Sequence, residues 1–257
     1  MIEIRHEAIV GTADSREAYD RIYEQAPIEH MRSLYLWLAD VANPRPGERF
    51  LDISCGTGAL PAEAARRQAL AHGLDFALPA VRRARDRAQV RAVVGDAEHL
   101  PYADASFDVV CNIGSLEHYQ DMPGALAEMR RVLRPTGRAI VLLPNAFALV
   151  QVLRVWRTGT VDDDGQPLQR VATLDHWARL LTSAGYAIRR VRPYDRELPR
   201  TWPDLRWYLH RPTKLARALL APLLPLTWAA CFVFECTLAD ARPAGMLASE
   251  PAARQPG

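Results

Sequence analysis

The segment LDISCGTGAL at residues 51–60 decides the fold class. It joins a short apolar run, Arg49 to Ile53, to an alanine-rich helical pattern through a turn that contains Gly56 and Gly58. Glycine lets the backbone turn tightly and lets a ligand approach closer than a Cβ would permit. A strand, a tight turn and a helix in this order predict a ligand-binding turn at the carboxyl end of a strand in an open α/β sheet.

The same unit recurs along the chain. Further strands are predicted at 70–76, 90–94, 107–111, 138–143, 186–191 and 231–238. Helical patterns cover 15–24, 28–41, 122–133, 147–156 and 173–184, and a further helix starts at Pro79. Short apolar runs that alternate with helices predict parallel strands covered on both faces. We therefore expect a doubly wound α/β domain.

Composition narrows the class of partner. The 257 residues are 49% hydrophobic and 24% charged, which is typical of one globular domain with a substantial core. The formal charge of +2 is too close to zero to indicate nucleic-acid binding, and no basic run alternates with aromatic residues. We expect no nucleic-acid partner.

The cysteines and the first residues indicate the compartment. Cys55, Cys111, Cys231 and Cys236 do not stand in the paired spacing of a metal site, so no metal is expected. Residues 1–10 contain acids and no apolar core, which is unlike a signal peptide. A reducing cytoplasm is the expected location.

Two acids follow the next predicted strands. Asp75 ends the second strand about twenty residues beyond the first glycine, as in nucleotide-binding folds. An acid there can accept hydrogen bonds from both ribose hydroxyls of an adenosine. Asp96 follows the third strand and is suited to an adenine amino group. Together with the glycine turn, these acids favour one nucleoside pocket.

A dinucleotide is the main alternative ligand. The turn has Gly56-x-Gly58, but Pro61 stands where the third glycine of G-x-G-x-x-G belongs. Such a turn is poorly built for a pyrophosphate at a helix N-terminus. The sequence therefore disfavours a dehydrogenase.

Six motifs in order carry a family resemblance. They are DISCGTG at 52–58, GLD at 73–75, GDAEHLP at 95–101, SFDVV at 106–110, LEH at 116–118 and RVLRPTG at 131–137. The chain resembles the class I S-adenosylmethionine-dependent methyltransferases, in the small-molecule branch that includes quinone-biosynthesis enzymes, from about Tyr19 to Tyr186. The resemblance implies a Rossmann-like sheet of seven mostly parallel strands in the order 3-2-1-4-5-7-6. It also implies N-terminal helices, an insertion before the last strand, and S-adenosylmethionine as cofactor with S-adenosylhomocysteine as product.

The resemblance assigns the methionine end of the cofactor to the glycine turn. Asp52 and the backbone at Ser54, Cys55, Gly56 and Gly58 would hold it. Ser54 stands where the family often has glycine.

The adenosine end is assigned by the same resemblance to the next two strand ends. Asp75 would hold the ribose, and Phe76 would pack on the adenine. Asp96 would receive the adenine amino group, with Ala97 donating a backbone N–H. Ala77 stands where a serine often follows the ribose acid.

Four further residues are implied near the reacting sulfonium. Asn112 and Ile113, just after the fourth strand, would line it. Tyr19 and Tyr23 on the first helix would close the pocket over it.

His118 is the candidate general base for a hydroxyl acceptor, because histidine most often fills that role. The alternative is that Glu117-His118 fixes its loop onto the next helix, since the pair recurs in the family whatever is methylated. We favour the structural role and keep His118 as the best base candidate.

We expect a single domain over 1–240, with an N-terminal helical cap at 1–43, acceptor-side segments at 145–170 and 195–228, and a disordered tail at 241–257. Four aromatic residues of the acceptor-side segments could line an apolar cavity or simply pack the insertion onto the sheet: Trp156, Trp202, Trp207 and Tyr208.

Residues 218–234 are nearly all apolar. Pro222 and Pro225 interrupt the run, and it is shorter than the roughly 20 residues of a spanning helix. Peripheral membrane contact through 203–234 is possible, but we favour a core helix that leads into the last strand.

The sequence thus predicts methyl transfer from S-adenosylmethionine to a small-molecule acceptor such as an aromatic, quinone-like or lipid compound. A methyltransferase-like protein that binds the cofactor without transfer is the alternative, as is non-methyl chemistry on the same cofactor, because a fold does not dictate chemistry.

Overall fold

A computed structural model describes residues 1–5, 12–26, 28–86 and 90–239. The predicted tail at 241–257 lies outside these residues. All seven predicted strands are present, and two further strands accompany them. The strands are β1 (Ile2–Arg5), β2 (Arg49–Ile53), β3 (Leu70–Asp75), β4 (Arg91–Val94), β5 (Phe107–Ile113), β6 (Leu133–Pro144), β7 (Leu168–Val171), β8 (Tyr186–Tyr194) and β9 (Cys231–Leu238).

The helices surround this sheet. They are α1 (Thr12–Gln25), α2 (Arg32–Ala42), α3 (Ala59–Arg66), α4 (Leu78–Arg85), α5 (Met122–Val132), α6 (Leu149–Thr158), α7 (Leu174–Ser183), α8 (Trp202–Leu209) and α9 (Pro212–Leu220).

Seven strands form the central sheet in the order β4-β3-β2-β5-β6-β9-β8. The pairs from β4 to β6 are parallel, and β9 runs antiparallel to both of its neighbours. The predicted doubly wound α/β class is confirmed. After β2 the chain builds β3 and β4 to one side and then β5 and β6 to the other. A crevice at the carboxyl ends of β2 and β5 is therefore the expected ligand site.

The two faces of the sheet bury separate cores. In β2, Leu51 and Ile53 face one core, and Phe50 faces the other. All three side chains have no exposed surface. Successive side chains of a strand point to opposite faces, so both faces must be covered when every position is apolar. Helices α5 and α7 cover the first face, and α2 and α3 cover the second.

A two-stranded ribbon lies outside this sheet. β1 pairs antiparallel with β7, with Ile2 opposite Val171. Arg170 on β7 donates to Glu3 at 2.8 Å and to the Tyr119 carbonyl at 2.5 Å. The ribbon therefore ties the first residues of the chain to the loop that follows β5.

Two predicted helices differ from the structure. The helix predicted from Ile28 begins at Arg32, because Met31 is extended at φ −60° and ψ 143°. The core helix predicted within 218–234 is wrong: α9 ends at Leu220, and two 3-10 turns follow at Ala221–Leu223 and Leu226–Trp228. The prolines at 222 and 225 lack the N–H that a continuing helix needs.

Trp177 anchors the first core. Its side chain is fully buried, and its Nε1–H donates to the Pro144 carbonyl at 2.8 Å. We expect Trp177→Ala to lower the free energy of unfolding by about 3–5 kcal/mol, through a cavity and an unpaired carbonyl. Urea denaturation followed by circular dichroism measures it. Trp156→Ala is the control: this tryptophan is 81% exposed, so its removal should change the value by no more than about 0.5 kcal/mol.

Candidate active site

A cavity with about 150 Å³ of space for water-sized molecules, open to solvent at its mouth, lies at the carboxyl ends of β2, β3, β4 and β5. Of the fourteen predicted site residues, twelve line it: Tyr19, Tyr23, Asp52, Ser54, Cys55, Gly56, Asp75, Phe76, Asp96, Ala97, Ile113 and His118. The sheet thus brings residues from four strand ends and the first helix to one place.

Gly58 and Asn112 do not line the cavity. Gly58 has φ +77°, and a Cβ there would lie 2.9 Å from the Cβ of Ala84, so glycine is needed where α3 passes α4. Asn112 is fully buried: its Oδ1 accepts from Leu116 N–H at 2.9 Å, and its Nδ2 donates to the Tyr119 hydroxyl at 2.7 Å. Both residues support the walls of the site from behind.

The turn after β2 is built from left-handed residues. Ser54, Gly56 and Gly58 have φ values of +60°, +52° and +77°. A left-handed conformation strains a residue with a Cβ by about 1–2 kcal/mol, which gives a physical reason for glycine at position 54 in other chains. Here the Ser54 hydroxyl lies 2.6 Å from the Tyr119 hydroxyl, and this hydrogen bond offsets part of the strain.

Asp75 connects the second strand to the glycine turn. Its Oδ2 accepts from Gly56 N–H at 2.8 Å, and its Oδ1 accepts from Ala77 N–H at 2.9 Å. Burial raises the pKa of Asp75 to about 6, and the two backbone N–H groups act in the opposite direction. Each oxygen has a second lone pair, so the carboxylate can still accept hydrogen bonds from a ligand.

Asp52 has an unsatisfied oxygen beside the cavity. The residue is 4% exposed, and its Oδ1 has no hydrogen-bond partner within the described part of the chain. Burial raises its pKa well above the ordinary value, and the nearby Asp75 adds to the effect. A buried polar atom without a partner costs about 1–3 kcal/mol, so an ammonium group placed here would find a prepared acceptor.

The Asp96 carboxylate shapes the third strand end. Its Oδ1 accepts from Glu98 N–H at 2.9 Å, which closes a tight turn around the buried Ala97. Asp96 and Ala97 both line the cavity. The turn therefore places the Asp96 carboxylate beside the same cavity as Phe76.

The cavity has a negative lining. The described residues of the lining include four acids, Asp52, Asp75, Asp96 and Glu98. No Lys or Arg is found among these described residues. Such a lining favours a cationic ligand. It disfavours a pyrophosphate, which agrees with the missing third glycine.

Helix α1 closes one side of the cavity. A Cβ on Gly56 would lie 2.9 Å from the Tyr23 hydroxyl, so this tyrosine stands directly against the glycine turn. The Arg16 guanidinium lies 4.8 Å from the centre of the Phe76 ring. Asp20 accepts from Leu78 N–H at 2.9 Å and fixes α1 to the start of α4.

His118 has both ring nitrogens engaged. Nδ1 lies 2.5 Å from the Leu168 carbonyl, which can only accept, so the proton belongs on Nδ1. Nε2 is then an acceptor, and Gln166 Nε2 donates to it at 3.1 Å. The Tyr19 hydroxyl donates to Gln166 Oε1 at 3.0 Å. His118 therefore ties its loop to β7 and to the segment before it.

Sequence reasoning missed several residues of the cavity wall. His30, Tyr35, Tyr119 and Gln166 all line it. Tyr119 follows the His118 motif directly, which was a usable signal. The other three come from the N-terminal cap and from a loop far along the chain, where no local pattern marks them.

The four predicted acceptor-side aromatics do not line this cavity. Trp156 and Trp202 are exposed, at 81% and 70%. Tyr208 is buried and donates to the Glu197 carbonyl at 2.7 Å, and Trp207 packs beside it. From the predicted segments 145–170 and 195–228, only Gln166 reaches the lining.

Comparison with known proteins agrees with this geometry. Residues 51–141 match the family model described as a methyltransferase domain. The matched segment thus resembles a methyltransferase domain and lies within the seven-stranded sheet. That segment runs from β2 into β6 and includes the glycine turn, Asp75 and Asp96. The predicted resemblance to this family is confirmed.

The relatives of this methyltransferase domain cover part of the chain. A demethylmenaquinone methyltransferase from Corynebacterium kroppenstedtii is 38% identical over 99 residues, which cover 38% of this chain and 43% of the relative. A 27-O-demethylrifamycin SV methyltransferase from Amycolatopsis mediterranei is 35% identical over 164 residues, which cover 58% and 57%. The chain thus spans about half the length of these relatives.

A solved structure shows the same fold over most of the chain. It is the 1,6-didemethyltoxoflavin-N1-methyltransferase of Burkholderia thailandensis, determined with 1,6-didemethyltoxoflavin and S-adenosylhomocysteine bound. It is 17% identical, with a TM-score of 0.61, and covers 93% of this chain and 95% of its own.

Glu117 gives this methyltransferase domain a testable dependence on pH. The side chain is buried, Oε2 lacks a hydrogen-bond partner among the described residues, and burial raises the pKa of Glu117 to about 7. Between the unfolded and folded pKa values the folded state binds more protons, so this group destabilises the fold as pH rises. Relative to wild type, Glu117→Gln should gain about 2 kcal/mol in free energy of unfolding from pH 5 to pH 8.

Urea denaturation at several pH values measures this effect. The control is Glu17→Gln, because the Glu17 side chain is 73% exposed. The same pH dependence in the Glu117→Gln variant and in wild type would show that Glu117 is not the group responsible.

Proposed function

We propose that this chain binds S-adenosylmethionine in the cavity and transfers its methyl group to a small-molecule acceptor. The observation that carries the proposal is the unpartnered, buried Oδ1 of Asp52 beside a cavity with acidic walls. The cofactor has an ammonium group and a sulfonium, and both positive charges suit that environment. The matching family model and the named relatives support the same activity.

The residues divide along the length of the cofactor. Asp52 would accept from the ammonium group, and the backbone at Ser54, Cys55 and Gly56 would pack along the methionine part. Gly58 would act only indirectly, by fixing the start of α3.

The adenosine would lie across the next two strand ends. Asp75 would accept from the ribose hydroxyls with its remaining lone pairs, and Phe76 would pack on the adenine. Asp96 would receive the adenine amino group beside Ala97. Arg16 now lies over the Phe76 ring, so we expect it to move or to stack on the adenine.

Methyl transfer would require the protein chiefly to align the donor and the acceptor. The bound cofactor supplies a methyl group already activated by a sulfonium. Alignment of donor and acceptor and exclusion of water then account for much of the rate. Tyr19 and Tyr23 are placed to exclude water, and Ile113 gives an apolar wall. The proposed N-terminal cap at 1–43 would thus complete the site.

The acceptor would enter beside His30 and Tyr35, which line the cavity and have no cofactor role in this proposal. These side chains, with Ile28 and Ile113, suit an uncharged aromatic molecule. The names of the two relatives indicate acceptors of this kind, a menaquinone precursor and a rifamycin. We therefore propose a hydroxylated aromatic or quinone-like acceptor.

His30 is better placed than His118 to serve as a base. Both nitrogens of His118 are engaged, whereas the His30 ring is open to the solvent of the cavity. Burial lowers the pKa of His30 and so favours the neutral form of its ring, while the Glu197 carboxylate acts in the opposite direction. A neutral imidazole at the acceptor side is what deprotonation of a hydroxyl requires.

All four cysteines are free thiols in the structure, and Cys55, Cys111 and Cys236 are buried. This state agrees with a reducing compartment. We propose that the protein works in the cytoplasm.

Asp75→Ala tests cofactor binding. Loss of a buried charged acceptor, and of the hydrogen bond that fixes the turn, should weaken S-adenosylhomocysteine binding about 50-fold or more. Isothermal titration calorimetry measures it. Asp175→Asn changes a carboxylate that is 73% exposed on α7 and should leave the affinity unchanged. No heat from the wild-type protein with either form of the cofactor would end the proposal.

His30→Gln and His118→Gln test the base. With labelled S-adenosylmethionine and a panel of hydroxylated quinones and aromatics, we expect His30→Gln to lower kcat about 100-fold and to remove the acid limb of the pH profile. We expect His118→Gln to lower kcat less than about tenfold and to retain that limb, because it positions a loop. The reverse order of effects would assign the base to His118.

A further inference from the structure

Helix α6 turns its apolar side outward. Leu149, Val152, Leu153 and Trp156 have the i, i+3, i+4, i+7 spacing of one helical face. In a globular protein such a face is normally buried. The structure describes all of α6, and none of its residues is buried. Trp156 is 81% exposed and Leu153 is 48% exposed.

A second exposed apolar segment comprises the end of α9 and the two 3-10 turns after it. Leu219, Leu220, Leu223 and Trp228 have exposed fractions between 50% and 79%. This is the segment that the sequence led us to expect in the core. Among its neighbours only Ala218 and Ala229 are buried, so the larger side chains face solvent.

Asn145 joins the two segments. Its Nδ2 donates to the carbonyls of Thr227 and Ala229, each at 2.8 Å. Its Oδ1 accepts from Phe147 N–H at 3.0 Å. We call the exposed apolar side chains of these two segments together the apolar rim; they are Phe147, Val152, Leu153, Trp156, Leu219, Leu220, Leu223 and Trp228.

The apolar rim lies at the same edge of the sheet as the cavity. Asn145 follows the carboxyl end of β6, which is parallel to β5. The segment after α6 contains Gln166, which lines the cavity, and Leu168, whose carbonyl bonds to His118. Helix α6 is therefore directly connected in the chain to residues that border the site.

Charge distinguishes the possible occupants of the rim. Residues 147–158 and 205–228 contain six cations, Arg154, Arg157, Arg206, Arg211, Lys214 and Arg217, and no acid. Acids outside these ranges pair with two of the six: Asp162 with Arg154, and Asp195 with Arg217. The other four have no ion pair among the described residues, so the two ranges are net positive, whereas the whole chain carries only +2. A second copy would bring an equally basic surface to the contact, which would repel it. An anionic lipid surface would attract it.

We propose that the apolar rim docks on the surface of an anionic lipid bilayer, with α6 lying in the plane of the interface. Exposed tryptophans beside arginines and a lysine are typical of such interfacial segments. Within the described ranges no helix is long and apolar enough to cross a bilayer. The contact is therefore peripheral.

Vesicle cosedimentation of the full chain tests the proposal. Vesicles of equal parts phosphatidylcholine and phosphatidylglycerol should bind the protein, vesicles of phosphatidylcholine alone should bind it weakly, and high salt should reduce the binding. The measurement uses no cofactor and no acceptor. A failure of the proposed methyl transfer would therefore leave this result unchanged.

Matched variants locate the contact. Trp156→Ser should lower the bound fraction of protein about tenfold, and Leu153→Ser should lower it several-fold. Leu70→Ser is the control, because Leu70 is 50% exposed but starts β3 at the opposite edge of the sheet. Arg157→Glu combined with Lys214→Glu should reduce binding to the anionic vesicles only. Equal melting temperatures show that the variants fold.

Three results would overturn the proposal. The first is an absence of binding to either vesicle. The second is a loss of binding with Leu70→Ser equal to that with Leu153→Ser. The third is a wild-type dimer in sedimentation velocity that Trp156→Ser converts to a monomer, together with no vesicle binding, which would assign the rim to a second copy.

Discussion

The site depends on the hydrogen bond from Gly56 N–H to the Asp75 carboxylate. It joins the ends of β2 and β3, so the turn and the acid act as one unit. The bond must be strong enough to keep a charge in a buried position, since burial raises the pKa of Asp75 to about 6. Two backbone donors hold the carboxylate without any flexible side chain. The shape of the pocket is therefore set by the sheet, and a side chain at position 56 would have to displace Tyr23.

Much of this arrangement could be predicted because the strands of a parallel sheet have a recognisable local sequence pattern. Strands buried on both faces read as continuous apolar runs whatever their partners are. The carboxyl ends of parallel strands share one edge, so residues after different strands must meet there. Asp52, Asp75 and Asp96 came together for this reason. Asn112 was predicted to line the pocket, but its side chain bonds to the loop behind the cavity wall. A residue at a strand end can face that loop as readily as the cavity, and the sequence does not distinguish the two.

The missing parts depend on contacts between distant segments. β1 and β7 have four residues each, and the sequence of neither strand predicts that it pairs with the other. Without that pairing, the contact of Gln166 with His118 and Tyr19 could not be foreseen. The start of α2 was missed because the helical periodicity of the sequence continues through residues 28–31, although the backbone at Met31 is extended and the helix begins only at Arg32.

The exposed face of α6 shows a different limit of sequence reasoning. Periodicity identifies an apolar stripe but not what covers it, and the prior favours the core of the same chain. The net charge of the chain gives no indication either, because the value of +2 is the sum over regions of opposite sign. Four acids line the cavity, and four cations without an ion pair among the described residues lie in the two segments that carry the apolar rim. Both regions follow carboxyl ends of parallel strands and therefore face the same way. A molecule polarised in this manner can hold a cationic ligand in its cavity while the rim beside it rests on an anionic surface, because the cavity walls and the rim attract opposite charges.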